Sequence, residues 1–291
     1  MRFLALLALL AAPAVAQPVQ VLDTVVLTEA THPDLPLREV SAMAWQDGVL
    51  LAVSDRNRLY RLTLGDDPGR LAPVLVSTLR LADEAGERLR RRDFAAEGIA
   101  LAGPALAILS EAPPQLALFD PQGRRVRVAH LAPDLADLST LRDLRSGVEA
   151  LADHPDLGLL VAPEEPLQGQ RRRTHVIYGE GGPLLAFHTD AEGRTRIKAM
   201  ETLPDGRILV LERDRLDDGT IQPFLRLIDP ATCPVTAPCT VAAWPLALPT
   251  PSDADFEGLA WLGDGRLLIA SDDRTEQGPR TVLALLSLSL D

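Results

Sequence analysis

The apolar positions of this chain fall into short runs bounded by turn residues. After Glu97, the stretches Gly98–Leu101, Ala105–Ser110, Gln115–Phe119 and Arg125–His130 read as four strands, and Pro121-Gln122-Gly123 marks a turn between the last two. The inner two are nearly continuous runs of small apolar residues, as expected of a sheet covered on both faces. The outer strand alternates, as in Arg125-Val126-Arg127-Val128, which predicts one solvated face.

The same arrangement recurs. The phrases SAMAWQDGVLLAVSD, EGIALAGPALAILSE, VEALADHPDLGLLVAPEE, KAMETLPDGRILVLERD and EGLAWLGDGRLLIASDD align on Ser41, Glu97, Glu149, Lys198 and Glu257. A spacing of roughly 50–60 residues built of short strands is the signature of propeller blades. The reading is an all-β propeller of five four-stranded blades, with six as the alternative if a degenerate blade lies in the loops. The last repeat is one strand short, since only Thr281–Leu290 follows Arg274. The segment Val19–Thr28 precedes the first repeat and has no blade of its own, so it is expected to supply the missing strand and close the ring. Two loops, Asp83–Asp93 and Asp134–Asp143, carry a helical pattern and are expected as inserts over one mouth of the channel. No linker interrupts residues 17–291, which read as a single domain.

Residues 1–16 read as a cleaved export signal: Arg2, an apolar stretch from Leu4 to Ala12, and Ala14-Val15-Ala16 before the cut. The stretch is too short to span a membrane, and no later one is long enough. The expectation is a soluble, monomeric protein of the periplasm or exterior. A formal net charge of −12 argues against non-specific binding to nucleic acid or anionic membrane. Cys233 and Cys239 are the only cysteines. In an oxidising compartment they are expected to form a disulfide, with a zinc site as the weaker alternative.

In a propeller the innermost strands surround a central channel, so equivalent positions form rings. One ring holds Ser41, Glu97, Glu149, Lys198 and Glu257, and Lys198 is the only lysine of the chain. A second, at the ends of the following strands, holds Ser54-Asp55, Ser110-Glu111, Glu164-Glu165, Glu212-Arg213 and Ser271-Asp272. Inner strands are antiparallel, so both rings should converge on one mouth. So many carboxylates repel unless compensated, either by Lys198, Arg213, Arg56 and Arg274 or by calcium, a hard cation taking oxygen ligands. Glu97, Glu149, Glu257 and Asp272 are the candidate metal ligands. Lys198, Arg213, Arg274 and Arg92 are the candidates for holding a small anionic ligand, and Glu97, Glu149, Lys198 and Glu257 those for catalysis. Asp93 and Asp253 would form acidic corners, and Arg145, Arg194 and Lys198 a basic one. The simpler alternative is a structural ring bonded to backbone amides. No GxSxG, HExxH or P-loop motif is present.

The phrases RDFAAEGIA, VEALA, KAMETLPDGRILVLERD and DFEGLAWLGDGRLLIASDDR resemble the phytase-like family, described as having the esterase-like activity of phytase. The resemblance runs from about Val21 to Leu290. It implies an exported hydrolase of phosphate or carboxylic esters and brings no agreed catalytic residue with it. Calcium-dependent propeller phytases are a more distant resemblance. A non-catalytic ligand-binding or scaffold propeller is the competing reading, because fold does not fix function.

Overall fold

The computed structural model of the protein describes residues 18–35, 37–143, 146–189, 195–276 and 278–290. It is a β-propeller of five blades. Blade 1 comprises Val40–Gln46, Val49–Ser54, Arg58–Thr63 and Val74–Arg80. Blade 2 comprises Ala96–Ala102, Ala105–Ser110, Gln115–Phe119 and Arg125–Ala129. Blade 3 comprises Val148–His154, Gly158–Pro163, Thr174–Gly179 and Gly182–His188. Blade 4 comprises Arg196–Thr202, Ile208–Arg215, Ile221–Ile228 and the short Ala243–Pro245. Blade 5 comprises Phe256–Gly263, Arg266–Ser271 and Gly278–Leu288, and its outer strand is Val19–Thr28. No sixth blade is present among the described residues.

The continuous apolar character of the middle strands follows from the stacking of the blades. In blade 2, Leu106 and Ile108 pack with Val53 and Leu59 of blade 1, while Ala107 and Leu109 pack with Val161 and Val176 of blade 3. Successive residues point to opposite faces, and both faces meet another blade, so both must be apolar. Three more such seams, between blades 3 and 4, 4 and 5, and 5 and 1, complete the core. Burying apolar surface at roughly 25 cal/mol per Å² in five separate seams is the main favourable term of the fold.

Closure is as the sequence suggests. Val19–Thr28 pairs antiparallel with Gly278–Leu288, from Val19 opposite Leu288 to Thr28 opposite Arg280. Leu27 is thereby buried in the seam between blades 5 and 1. Cys233 and Cys239 form a disulfide, which removes the zinc alternative. It secures a loop whose Cys239–Thr240 adds a parallel strand to the outer edge of blade 3 and covers that edge. Two residues are too few to register as a strand in sequence.

The helical expectation for 83–93 fails. The Asp83 carboxylate accepts from the backbone N–H groups of Ala85 and Glu87, and Gly86 adopts φ 86°. An aspartate capturing its own following amides competes with a helix for the same donors. In 134–143 only a single turn forms, Pro133–Ala136, followed by the 3₁₀ turn Leu138–Thr140. Among the described residues no helix is long and apolar enough to cross a membrane.

Because each seam needs both neighbours, the closing strand should be indispensable. A chain beginning at residue 29 is expected to lose its cooperative unfolding transition in urea. A transition near that of the intact protein would show that the fourth strand of blade 5 is dispensable.

Candidate functional site: a buried acid–base ring at a line of bulges

One irregularity recurs in every blade. The register between the first and second strands shifts between Val40 and Ala42, Ala96 and Gly98, Val148 and Ala150, Ile197 and Ala199, and Phe256 and Gly258. The residues skipped are Ser41, Glu97, Glu149, Lys198 and Glu257. Each ring residue thus sits on a β-bulge, which leaves it out of the ladder and re-aims its side chain. Five bulges at one level turn five side chains inward. The glycine after two of the glutamates has a steric reason: a Cβ on Gly98 would stand 2.9 Å from Leu151 Cβ, and one on Gly258 3.1 Å from Met43 Cγ.

The ring is closed around Lys198. Its Nζ donates to Glu149, to Glu257 Oε1 at 2.7 Å and to Glu164 Oε1 at 3.3 Å, all in a nearly fully buried setting. Glu97, Glu149 and Glu257 each place a carboxylate oxygen within 4.8 Å of the others. Arg213 bonds Glu164 at 3.2 Å and also Asp255, and Arg196 bonds Glu164 at 3.3 Å and Glu165 at 2.7 Å. Below the ring Met43, Ile99, Leu151, Met200 and Leu259 narrow the channel to a void of about 10 Å³. The chemistry therefore lies at one end of a plugged channel.

Burial and mutual repulsion set the protonation of this cluster. Glu97 is raised well above the usual carboxylate range by burial and by the charges of Glu149 and Glu257, and no basic residue pairs with it among the described residues. Burial also raises Glu149, against the pull of Lys198. Burial pushes Glu257 up to about 7 despite Lys198, and pushes Asp272 up to about 8 with help from Glu257 and Asp55. Glu164 goes the other way, to about 2, because Lys198, Arg196 and Arg213 outweigh its burial. The same carboxylates outweigh the burial that would discharge Lys198 and hold its ammonium charged.

The second ring does meet the first, but its members divide. Asp55 pairs with Arg91 at 3.0 Å, and Glu111 accepts from Gly147 N at 3.1 Å. Glu212 turns away into a buried pair with Arg226 at 2.6 Å, itself over the Phe187 ring. Arg92 is exposed on its loop and has Asp93 beside it at 3.6 Å. Asp253 is exposed and bonds Arg280 at 3.0 Å, so the acidic corners do not join the ring. Arg145, Arg194 and the side chain of Arg274 lie outside what the structure describes, as do residues 1–16. Sequence reasoning missed Asp255, Asp273 and Arg196. Asp273 takes the Ser271 hydroxyl at 2.6 Å and the Asp255 amide at 2.9 Å. The only available signal was proximity to an anchor.

Together these features define a five-bladed β-propeller with an acid–base ring at one channel end. The chain belongs to the phytase-like family, described by the esterase-like activity of phytase, which it matches over residues 36–275. Among solved structures, a glutaminyl cyclase from Myxococcus xanthus is similar, with a TM-score of 0.52 and 14% identity, covering 93% of this chain and 97% of that one. A PQQ-bound aldose sugar dehydrogenase from Streptomyces coelicolor has a TM-score of 0.49 and 13% identity, covering 95% of this chain and 100% of that one. The likeness to the cyclase bears on the fold alone. No curated protein sequence matches the chain.

Two outcomes follow from the ring. Lys198→Met removes the one cation shared by three buried carboxylates and should cost about 3–5 kcal/mol in urea unfolding at pH 7; a loss below about 1 kcal/mol would mean the charges are solvated. Stability should also fall as pH rises from about 5 to 8.5. Glu257, Asp272 and the half-buried Glu201, also raised to about 8 by desolvation, bind their protons more tightly when folded. Their contribution is complete below the usual carboxylate values and is lost as pH passes 7 to 8. His175, lowered to about 4 by burial, opposes them by costing stability as pH falls from 6.5 toward 4. Glu164 adds a loss only as pH falls toward 2. Urea midpoints across this range test the slope, and Glu257→Gln should flatten it.

Proposed function

We propose that this protein is an exported hydrolase of phosphate or carboxylic esters that works at the acid–base ring. The observation that carries the reading is a pair of adjacent carboxyl groups with separated proton affinities. Burial and the charges of Glu149 and Glu257 push Glu97, which has no cation beside it among the described residues, well above the usual carboxylate range, while burial pushes Glu257, held by Lys198, up to about 7. Pairs of titratable groups pushed apart in this way supply an acid and a base at one working pH.

In this reading Glu257, at 14% side-chain exposure the most open of the three glutamates, accepts a proton from a water molecule. The water oxygen bonds to the ester phosphorus or carbonyl carbon. The bond to the leaving oxygen breaks, and that oxygen takes the proton of Glu97. Solvent exchange then returns Glu97 to its acid form and Glu257 to its carboxylate. Lys198, charged and fixed by three carboxylates, steadies the negative charge that develops. Arg213 orients Glu164 and Asp255 instead of meeting the ligand directly.

The three carboxylates could hold a metal. An all-oxygen donor set suits a hard cation, and calcium is the ion we infer, with Glu97, Glu149 and Glu257 as ligands and Asp272 nearby; an ion there would displace the proton of Glu97, so the calcium-bound form is an alternative to the acid–base form described above. When bound, calcium supplies Lewis-acid polarisation of the scissile group. Lys198 already contacts Glu149 and Glu257, so ion and ammonium compete for the same oxygens. Calcium should therefore raise the melting temperature little in the native protein, and a large rise that Glu149→Gln abolishes would give the cluster to the ion.

Export to the periplasm or exterior is supported by the disulfide and by the absence of a spanning helix among the described residues. The second reading is a non-catalytic ligand-binding or scaffold propeller, and the burial of Lys198 among its own carboxylates favours it. Hydrolysis of nitrophenyl phosphate and nitrophenyl acetate by the purified mature chain, with and without calcium, separates the two. The hydrolase reading expects turnover that rises as pH passes about 7 and falls at least 100-fold in Glu257→Gln; absence of turnover on both esters leaves the binding propeller.

A further inference from the structure

Arg56, Arg80, Arg88, Arg90 and Arg91 line one cleft of about 670 Å³, with Glu87 on its wall. They arrive from three separate stretches of chain, and a single buried asparagine fastens all three. Asn57, at φ 59° and fully buried, follows Arg56. Its carbonyl accepts from Leu81 N at 2.9 Å, next to Arg80, and its side-chain amide donates to the carbonyl of Phe94, just beyond the 88–91 stretch. The loop between is itself secured. Leu89 N donates to Leu81 O at 3.0 Å and Phe94 N to Arg90 O at 3.0 Å, while Asp83 caps the turn at its start. The arginines are thus held on a built wall.

Their charges are only partly compensated. Arg91 pairs with Asp55 at 3.0 Å and Arg56 with Glu39 at 3.0 Å. Among the described residues Arg80, Arg88 and Arg90 form no ion pair, and Arg80 donates instead to the Arg56 carbonyl at 3.4 Å. Burial first, then the charges of Arg58, Arg88 and Arg56, weakens the hold of Arg80 on its proton, as expected where like charges crowd. In a chain of net charge −12, this concentration of positive charge in one concavity focuses an attractive field on anions. The guanidinium fork matches phosphate oxygens in pairs, and the volume falls in the ordinary range for small-molecule sites.

We propose that this cleft is a binding site for a small anion bearing two or more phosphate groups, separate from the ring. Three unpaired guanidinium groups call for more than one negative charge, and a recessed wall suits a compact ligand better than an extended polymer or a lipid surface. Arg91 is the link to the mouth, since it bonds Asp55 and its charge reaches Glu111. The proposal stands whether or not the ring hydrolyses anything.

Calorimetric titration of the mature protein with tripolyphosphate at low ionic strength tests it. One site per chain is expected, weakened at least tenfold in the double variant Arg88→Ala/Arg90→Ala. Arg127→Ala, on the outer strand of blade 2, should bind as the native protein does. Both variants replace exposed side chains, and an unchanged melting temperature without ligand checks that they fold. Absence of binding, equal affinity in the double variant, or citrate binding as tightly as tripolyphosphate would overturn the proposal.

Discussion

Lys198 brings a full positive charge into a place where water cannot solvate it. An isolated ammonium there would cost many kcal/mol and would discharge. It stays charged because Glu149 and Glu164 of blade 3 and Glu257 of blade 5 reach it from both sides. Those carboxylates have the reverse need, since without Lys198 they would crowd one another around the axis. The arrangement is self-consistent only when blades 3, 4 and 5 stand at the right rotation about the channel. The electrostatics of the mouth therefore depend on the whole ring being closed, and closure depends on Val19–Thr28 completing blade 5.

The bulges explain how an apolar seam and a charged mouth coexist on the same strands. A regular ladder at the start of each innermost strand would send alternate side chains into the seams between blades. Skipping one residue in all five blades frees one side chain from that alternation, and it points to the axis. Where the freed residue is Glu97 or Glu257, the next position is glycine, and a Cβ there would crowd the neighbouring inner strand, against Leu151 at Gly98 and against the Met43 side chain at Gly258. Apolar side chains just below then shut the channel, which removes water and lets burial dominate the protonation of the ring.

Charge is consequently sorted into two unlike environments on neighbouring surfaces. The ring is acidic, buried and internally paired, so its proton affinities are spread over a wide range. The arginine cleft is open, and among the described residues three of its guanidinium groups form no ion pair. Asp55 and Arg91 stand where the two adjoin. A buried set with separated proton affinities can move protons, while an open set of forked donors can hold an anion by charge and shape.

Much of this molecule was legible in its sequence. The repeated phrase located the blades and placed one ring residue in each, the missing strand of the last repeat pointed to Val19–Thr28, and the spacing of Cys233 and Cys239 pointed to their bond. These are properties of local pattern, of period and composition, which a linear chain displays directly. The bulges, the partners of Lys198, the departure of Glu212 to Arg226 and the convergence of Arg56, Arg80 and Arg88 were not legible. Each joins residues far apart in sequence, or depends on which way a side chain turns. The loop 83–93 was misread because its spacing resembles a helix, whereas the Asp83 side chain takes the amides a helix would use. Repetition fixes where a side chain enters the ring; only the assembled ring decides what it meets, because burial and distance to the opposite charge exist only after the blades have closed.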